Sequence, residues 1–107
     1  MLHRPHKAQF TFLNQRISAL AQAVSRYIQR EDDFPYSSLY DLCKTIDAIS
    51  QREQKLPLLK RLNLEVVACL YQHNPKLFPY YQDLCDKIYE LENENLITLA
   101  NVSALMM

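Results

Sequence analysis

The chain has 107 residues, a mass of 12.6 kDa, 49% apolar residues and equal numbers of acidic and basic side chains, which suits one small domain, residues 1–107, and is too apolar for a disordered segment. Glycine is absent, against about 7% in an average chain, so glycine-rich phosphate loops, dinucleotide fingerprints and nucleophile elbows are excluded, and tight β-hairpins lose their usual turn residue. Three cysteines without a CxxC pair, Cys43, Cys69 and Cys85, point to a reducing, cytoplasmic setting, and neither an apolar leader after MLHRPHKAQ nor a run of about 20 apolar residues that would span a membrane is found.

The first element is the clearest. After residues 1–7, which are expected to fray, Phe10, Leu13, Ile17, Leu20, Val24 and Tyr27 recur at alternating steps of three and four, the stripe of an amphipathic helix over 8–30. Glu31, Asp32 and Asp33 end that stripe. Phe34-Pro35 then opens a second helix, 36–54, with proline in the first turn, Ser37 or Ser38 as an alternative cap, and Leu39, Leu42, Ile46 and Ile49 facing inward. Pro57 reads either as the start of a third helix or as a kink in a longer one, because apolar residues from Leu56 to Leu70 run past it; a break is the preferred reading and places the third helix at 57–73. His73-Asn74-Pro75 is a stop, since proline disfavours helical geometry at the residue before it. The fourth helix, 79–104, turns Tyr81, Leu84, Ile88 and Leu91 inward.

Two stretches say nearly the same thing: FPYSSLYDLC from Phe34 and FPYYQDLC from Phe78. In each, an aromatic residue precedes a proline, Leu-Cys follows on the inward stripe, and a tyrosine, Tyr27 or Tyr71, stands seven residues upstream of the phenylalanine. Each copy therefore reads as a helix start, with phenylalanine as a hydrophobic staple and proline in the first turn. The repeat is either an internal duplication of a helical hairpin or convergent helix-start chemistry. Both readings lead to an all-α fold, a compact antiparallel four-helix arrangement of two helical hairpins.

Charge is distributed unevenly. Up to Arg30 the chain carries Arg4, Lys7, Arg16, Arg26 and Arg30 and no acid, whereas from Leu77 onward Lys87 is outnumbered by Asp83, Asp86, Glu90, Glu92 and Glu94. The first and last helices are expected to lie near each other and complement one another. As a sharper alternative, the acidic end forms a face for a basic partner, or Arg16, Arg26 and Arg30 form a basic face for nucleic acid, although zero net charge and their spread along the helix disfavour the latter. Cysteines on inward stripes read as small hydrophobes, His3 and His6 as residues of a frayed end, and His73 as a cation at a helix carboxy terminus. No catalytic residue, metal or cofactor is expected, and the chain does not read as an enzyme.

Two features favour contact with another protein. Tyr36, Tyr40, Tyr80, Tyr81 and Tyr89 gather around the repeated words; most serve core packing, yet an exposed group of tyrosines also suits an interface. The tail ENLITLANVSALMM has no charge after Glu94, so Leu96, Leu99, Val102 and Leu105 are candidate contacts for the same chain, a second copy or a partner. The segments IQREDDFPYSSLYDLCKTIDAISQREQ and KIYELENENLITLANVSALM resemble the amino-terminal hairpin and final helix of small flagellar export chaperones of the FliT and FlgN kind. That resemblance implies binding of a substrate's amphipathic helix through the carboxy-terminal helices, with Leu96, Leu99, Val102 and Leu105 as contacts. Pro57 and Pro79 depart from the long helices of that family. The sequence thus points to a protein-binding module, chaperone or adaptor, that holds a partner helix, with Tyr80 and Tyr81 among its contacts. A homodimer seamed on the heptads of the first helix is the structural alternative.

Overall fold

The first apolar stripe forms α1, Pro5–Ile28, in a computed structural model that describes residues 5–29 and 33–106, with side chains from 8 to 29 and from 33 to 94. Leu13, Ile17, Leu20 and Val24 from this stripe are all buried. Their steps of three and four keep them on one face of a 3.6-residue helix.

Helix α2 spans Tyr36–Asp47. Pro35 stands at its N-cap and accepts the N–H groups of Ser38 and Leu39 at 3.1 and 3.3 Å, so no serine side chain caps this end. The helix stops well short of residue 54. Residues 48–51 turn the chain, and Gln51 is extended at φ −86° and ψ 114° before α3, Arg52–Leu62, begins.

The break expected at Pro57 therefore falls earlier, and Pro57 lies inside α3. Proline there removes the N–H that would pair with the Glu53 carbonyl, a loss normally severe in a helix interior. Here Pro57 and Glu53 are both exposed, so water can take the freed carbonyl, and the first turn is still held by the Gln51 carbonyl, which accepts the N–H groups of Gln54 and Lys55 at 3.1 and 2.9 Å.

Helix α3 continues without interruption through a π-helical turn, Asn63–Val67, into α4, Ala68–His73. The cause is visible in the spacing. Leu58, Leu62, Val66 and Leu70 are all buried and stand four residues apart. In a pure α-helix each four-residue step overshoots a full turn by about 40°, so this row would drift out of the core. A turn closed by wider i→i+5 bonds takes up the excess. Tertiary packing has thus selected the local geometry.

A 3₁₀ turn, Pro75–Leu77, with the Asn74 side chain accepting the Lys76 N–H at 3.2 Å, leads into α5, Phe78–Met106. Both repeated words prove to be helix starts. Tyr27 meets Phe34 at 6.2 Å between ring centroids, and Tyr71 meets Phe78 at 5.5 Å. The same ring pair closes both hairpins, although Phe34 is buried and Phe78 is 45% exposed.

All four long helices belong to one all-α array in which sequential helices run antiparallel, and no strand occurs among the described residues. The rod from Arg52 to His73 is central and touches α1, α2 and α5. It runs parallel to α1, as shown by Arg61 at Asn14 and His73 at Tyr27. It runs antiparallel to α5, as shown by Arg52 at Leu91 and Tyr71 at Tyr81. Among the described residues, the backbone of α5 approaches neither α1 nor α2.

The expected pairing of the basic first helix with the acidic last one is therefore not made among the described residues. Instead two acids of α5 meet α3, Glu94 with Arg52 at 3.9 Å and Glu92 with Lys60 at 2.6 Å, and the α5 base Lys87 meets Asp47 of α2 at 2.6 Å. Helix α1 is held by Arg61, whose guanidinium donates to the Asn14 carbonyl and side chain at 2.8 and 2.9 Å and to Ser18 Oγ at 2.5 Å. The Cα radius of gyration, 16.6 Å, exceeds the roughly 13 Å of a compact domain this size. With 29 residues, α5 is about 44 Å long and outruns the rod it packs on.

Candidate functional site

Helices α2 and α5 both lie on the central rod and run in the same direction, with their backbones apart. That arrangement leaves a groove between them, floored by the rod. Leu59, Val67 and Leu70 come from the floor, Leu39 from α2, and Leu77 and Leu84 from the α5 side. The sequence builds it simply: each flanking helix turns one stripe of leucines onto the rod, and the residues beside the stripes become walls.

Three cavities adjoin along this groove. The first, about 120 Å³, lies between Tyr36, Tyr40 and Tyr80, over Val67, Leu70 and Leu77, and its wall is almost wholly apolar. The second, about 410 Å³, shares Tyr40 and Tyr80 with the first and adds Asp83, Asp86 and Glu90. The third, about 700 Å³, shares Asp47, Leu59, Lys87 and Glu90 with the second and ends at Tyr89, Leu91 and Glu94. Tyr40 is 59% exposed and Tyr89 68%, so aromatic surface faces solvent at both ends.

Two contacts cross the groove. Cys43 Sγ and Tyr80 Oη lie 2.5 Å apart, and Lys87 Nζ meets Asp47 Oδ2 at 2.6 Å. Burial pushes the Cys43 thiol above its usual range. Tyr80 is raised far above the ordinary phenol range, first by burial and then by its bond to Cys43. This pair therefore stays neutral and acts as a fixed strut. The Lys87–Asp47 pair is half-exposed, a class of contact worth about 0–1 kcal/mol, and can open at little cost.

The two walls differ in charge. On α2, Lys44 lies over the Tyr40 ring at 5.3 Å. On α5, Lys87 is held by Asp47, while no ion pair among the described residues reaches Asp83, Asp86 or Glu90, and Asp86 accepts only Gln82 Nε2 at 2.9 Å. The α5 wall thus carries net negative charge beside an apolar floor.

Among the described side chains, the residues predicted from sequence do not form one site. Tyr80 lines the groove, whereas Tyr81 stacks on Tyr71 at 5.0 Å, away from it, and its phenol is pushed up chiefly by a bond to Cys85. The side chains of Leu96, Leu99, Val102 and Leu105 lie outside the described residues, on a backbone that is helical to Met106. Of the alternative basic set, Arg16 leans over the Phe12 ring at 5.9 Å, Arg26 is exposed, and Arg30 lies outside the described residues, as do His3 and the side chain of His6. Ten residues of helix separate Arg16 from Arg26 by about 15 Å. The α1 stripe is occupied by the chain's own core, so a homodimer seamed on it would have to open that core. Each cysteine has its own contacts: Tyr80 for Cys43, the Leu64 carbonyl for Cys69, and Asn63 and Tyr81 for Cys85.

Sequence reasoning did not find Tyr40 and Asp83 as neighbours across a groove, since nothing in a helical stripe reports the gap between two helices. No protein-family model, curated protein or solved structure matches this chain.

Proposed function

We propose that the protein is a small cytoplasmic protein-binding module, an adaptor or chaperone, that holds an amphipathic helix of its partner. The observation that carries this reading is the α2–α5 groove: an apolar floor, exposed tyrosines at both ends and a length that suits a helix. From Tyr80 to Glu94 the α5 wall is about 21 Å long, room for roughly four helical turns. Helix-in-groove recognition needs such a trough, with apolar anchors repeating every three to four residues on the bound helix. The resemblance to flagellar export chaperones leads to the same class of partner, and Leu96, Leu99, Val102 and Leu105 supply a second contact surface under this proposal.

Tagged full-length protein, purified from its native lysate with a salt wash, tests the reading. A protein retained in stoichiometric amount through the wash supports it. Retention of nucleic acid that salt removes, or recovery of the chain alone, overturns it.

A further inference from the structure

We infer that the helix accepted by the α2–α5 groove is basic along one flank and presents a single large aliphatic or aromatic anchor to the tyrosine-lined end. This rests on the reading of the protein as a helix-binding module and specifies where and by what chemistry the partner is held.

The anchor follows from the first cavity. Its volume of about 120 Å³ is enclosed by Tyr36, Tyr40 and Tyr80 over Leu39, Leu70 and Leu77, with almost no polar wall. An apolar cavity of about 150 Å³ holds a benzene molecule, so this one takes one leucine-sized or ring side chain. Tyr36 and Tyr40 are 42% and 59% exposed, which leaves the mouth open to solvent.

The basic flank follows from charge. Asp83, Asp86 and Glu90 stand at steps of three and four along α5, on the face that lines the second cavity. Of the lysines along the groove, Lys87 is paired with Asp47, Lys44 lies over the Tyr40 ring and Lys55 lines the third cavity, while in the second cavity four carboxylates, Asp47 included, face two lysines. A helix laid along the groove, over the Cys43–Tyr80 strut and with its anchor beyond Tyr80, runs past these three carboxylates for two turns. Lysine or arginine spaced by three and four on that flank meets each of them, whereas glutamate there adds like charge in a partly desolvated trough. The α2 wall offers no equivalent acid row, so the preference also sets which flank of the bound helix faces α5.

Two synthetic amphipathic helical peptides of 14 residues test this, with identical leucine stripes and with either lysine or glutamate at the flanking positions. Binding to the full chain is measured by calorimetry at low salt, and amide NMR maps the site. The lysine peptide is expected to bind at least tenfold tighter than the glutamate peptide, with shifts at Tyr36, Tyr40, Asp83 and Glu90. In the exposed-site variant Asp83→Lys/Asp86→Lys/Glu90→Lys the preference is expected to reverse, and Tyr40→Ala weakens both peptides. Equal affinities, no reversal, or shifts that map away from the groove overturn the inference. If a native protein partner co-purifies while neither peptide binds, the groove chemistry is wrong and the protein-binding reading stands. If nothing co-purifies, the broader reading fails by itself.

Discussion

Arg61 shows what one side chain does in this fold. Its guanidinium reaches Asn14 twice and Ser18 once on α1 while its Nε donates to Glu65 at 2.8 Å, so one planar fork sets the register of α1 against the rod. Hydrogen bonds to charged donors contribute about 1.5–3 kcal/mol, and a fork cannot be replaced by a point charge. Arg61→Ala and Arg61→Lys are both expected to cost about 2 kcal/mol in urea denaturation, whereas Glu65→Ala removes only a half-exposed helical pair and costs about 0.3–0.5 kcal/mol. Equal losses from Arg61→Ala and Glu65→Ala would show that the cross-helix bonds contribute nothing. The Cys43–Tyr80 strut gives a pH dependence of definite sign. Burial favours the neutral forms, so both groups titrate in the fold above their ordinary values of 9.0 and 10.0. Well below pH 9 the folded and unfolded chains hold the same protons on this pair, and its contribution is fully present. Above that pH the unfolded chain releases protons that the folded chain retains, and stability falls as pH rises. Denaturant melts from pH 8 to 11 should therefore show a steeper loss for the wild type than for Cys43→Ala/Tyr80→Phe. The variant keeps some slope because Tyr36 and Tyr81 are also raised in the fold. Parallel curves would mean that the pair titrates as freely in the fold as in the open chain.

At the scale of elements, the stripes were readable where their spacing was regular and misleading where packing altered the helix. The α1 stripe names its own buried residues because alternating steps of three and four fit one helix face without adjustment. The same logic carried α2 too far. Ile49 falls on the stripe by spacing, yet it is only half-buried beyond the end of the helix, where its N–H bonds the Ile46 carbonyl at 3.0 Å. Proline suggested a break at residue 57, but an exposed proline early in a helix is tolerable when solvent takes the orphaned carbonyl, and a sequence does not display exposure. Replacing it tests that account: Pro57→Ala restores one backbone bond and should raise stability by about 1–2 kcal/mol, less than the roughly 3 kcal/mol of an interior proline because solvent serves the Glu53 carbonyl and proline restricts the unfolded chain. The π-helical turn was legible only in retrospect, from leucine and valine spaced by four. Leu64 sits within that turn and is 73% exposed. Deleting it shortens the wide turn to an ordinary α turn and keeps Val66, Val67 and Leu70 facing the core, so the variant should retain a cooperative thermal transition. Deleting Lys60, outside the wide turn, rotates that buried set by about 100° and should abolish the transition. If both deletions behave alike, the wide turn is not what aligns the row.

For the whole molecule, the decisive quantity is the lateral gap between α2 and α5, and no residue pattern encodes it. Leu39, Leu59, Leu70 and Leu84 would read identically if α5 lay tight against α2 and filled the groove. The gap arises because both helices seek the central rod, which offers buried positions on several faces, and because the Cys43–Tyr80 strut spans the gap with two side chains that hold the backbones apart. The same geometry bears on the carboxy-terminal tail. Arg52 opens α3 and donates from Nε to the Leu91 carbonyl at 2.6 Å, so α5 leaves the end of the rod one turn later, while its helix continues to Met106. Among the described residues the core ends at Ile88, with Leu91 packed against it. A chain that stops after Glu94 therefore keeps the central rod, the groove and every pairing of α5 with α2 and α3. It should unfold cooperatively by circular dichroism, at a Tm within a few degrees of the full chain, and it should keep the charge preference of the groove for the lysine peptide. Loss of the cooperative transition in that truncation would make residues 95–107 part of the core. If the transition survives but binding of a co-purified partner is lost, the tail is a contact surface distinct from the groove, and the partner spans both.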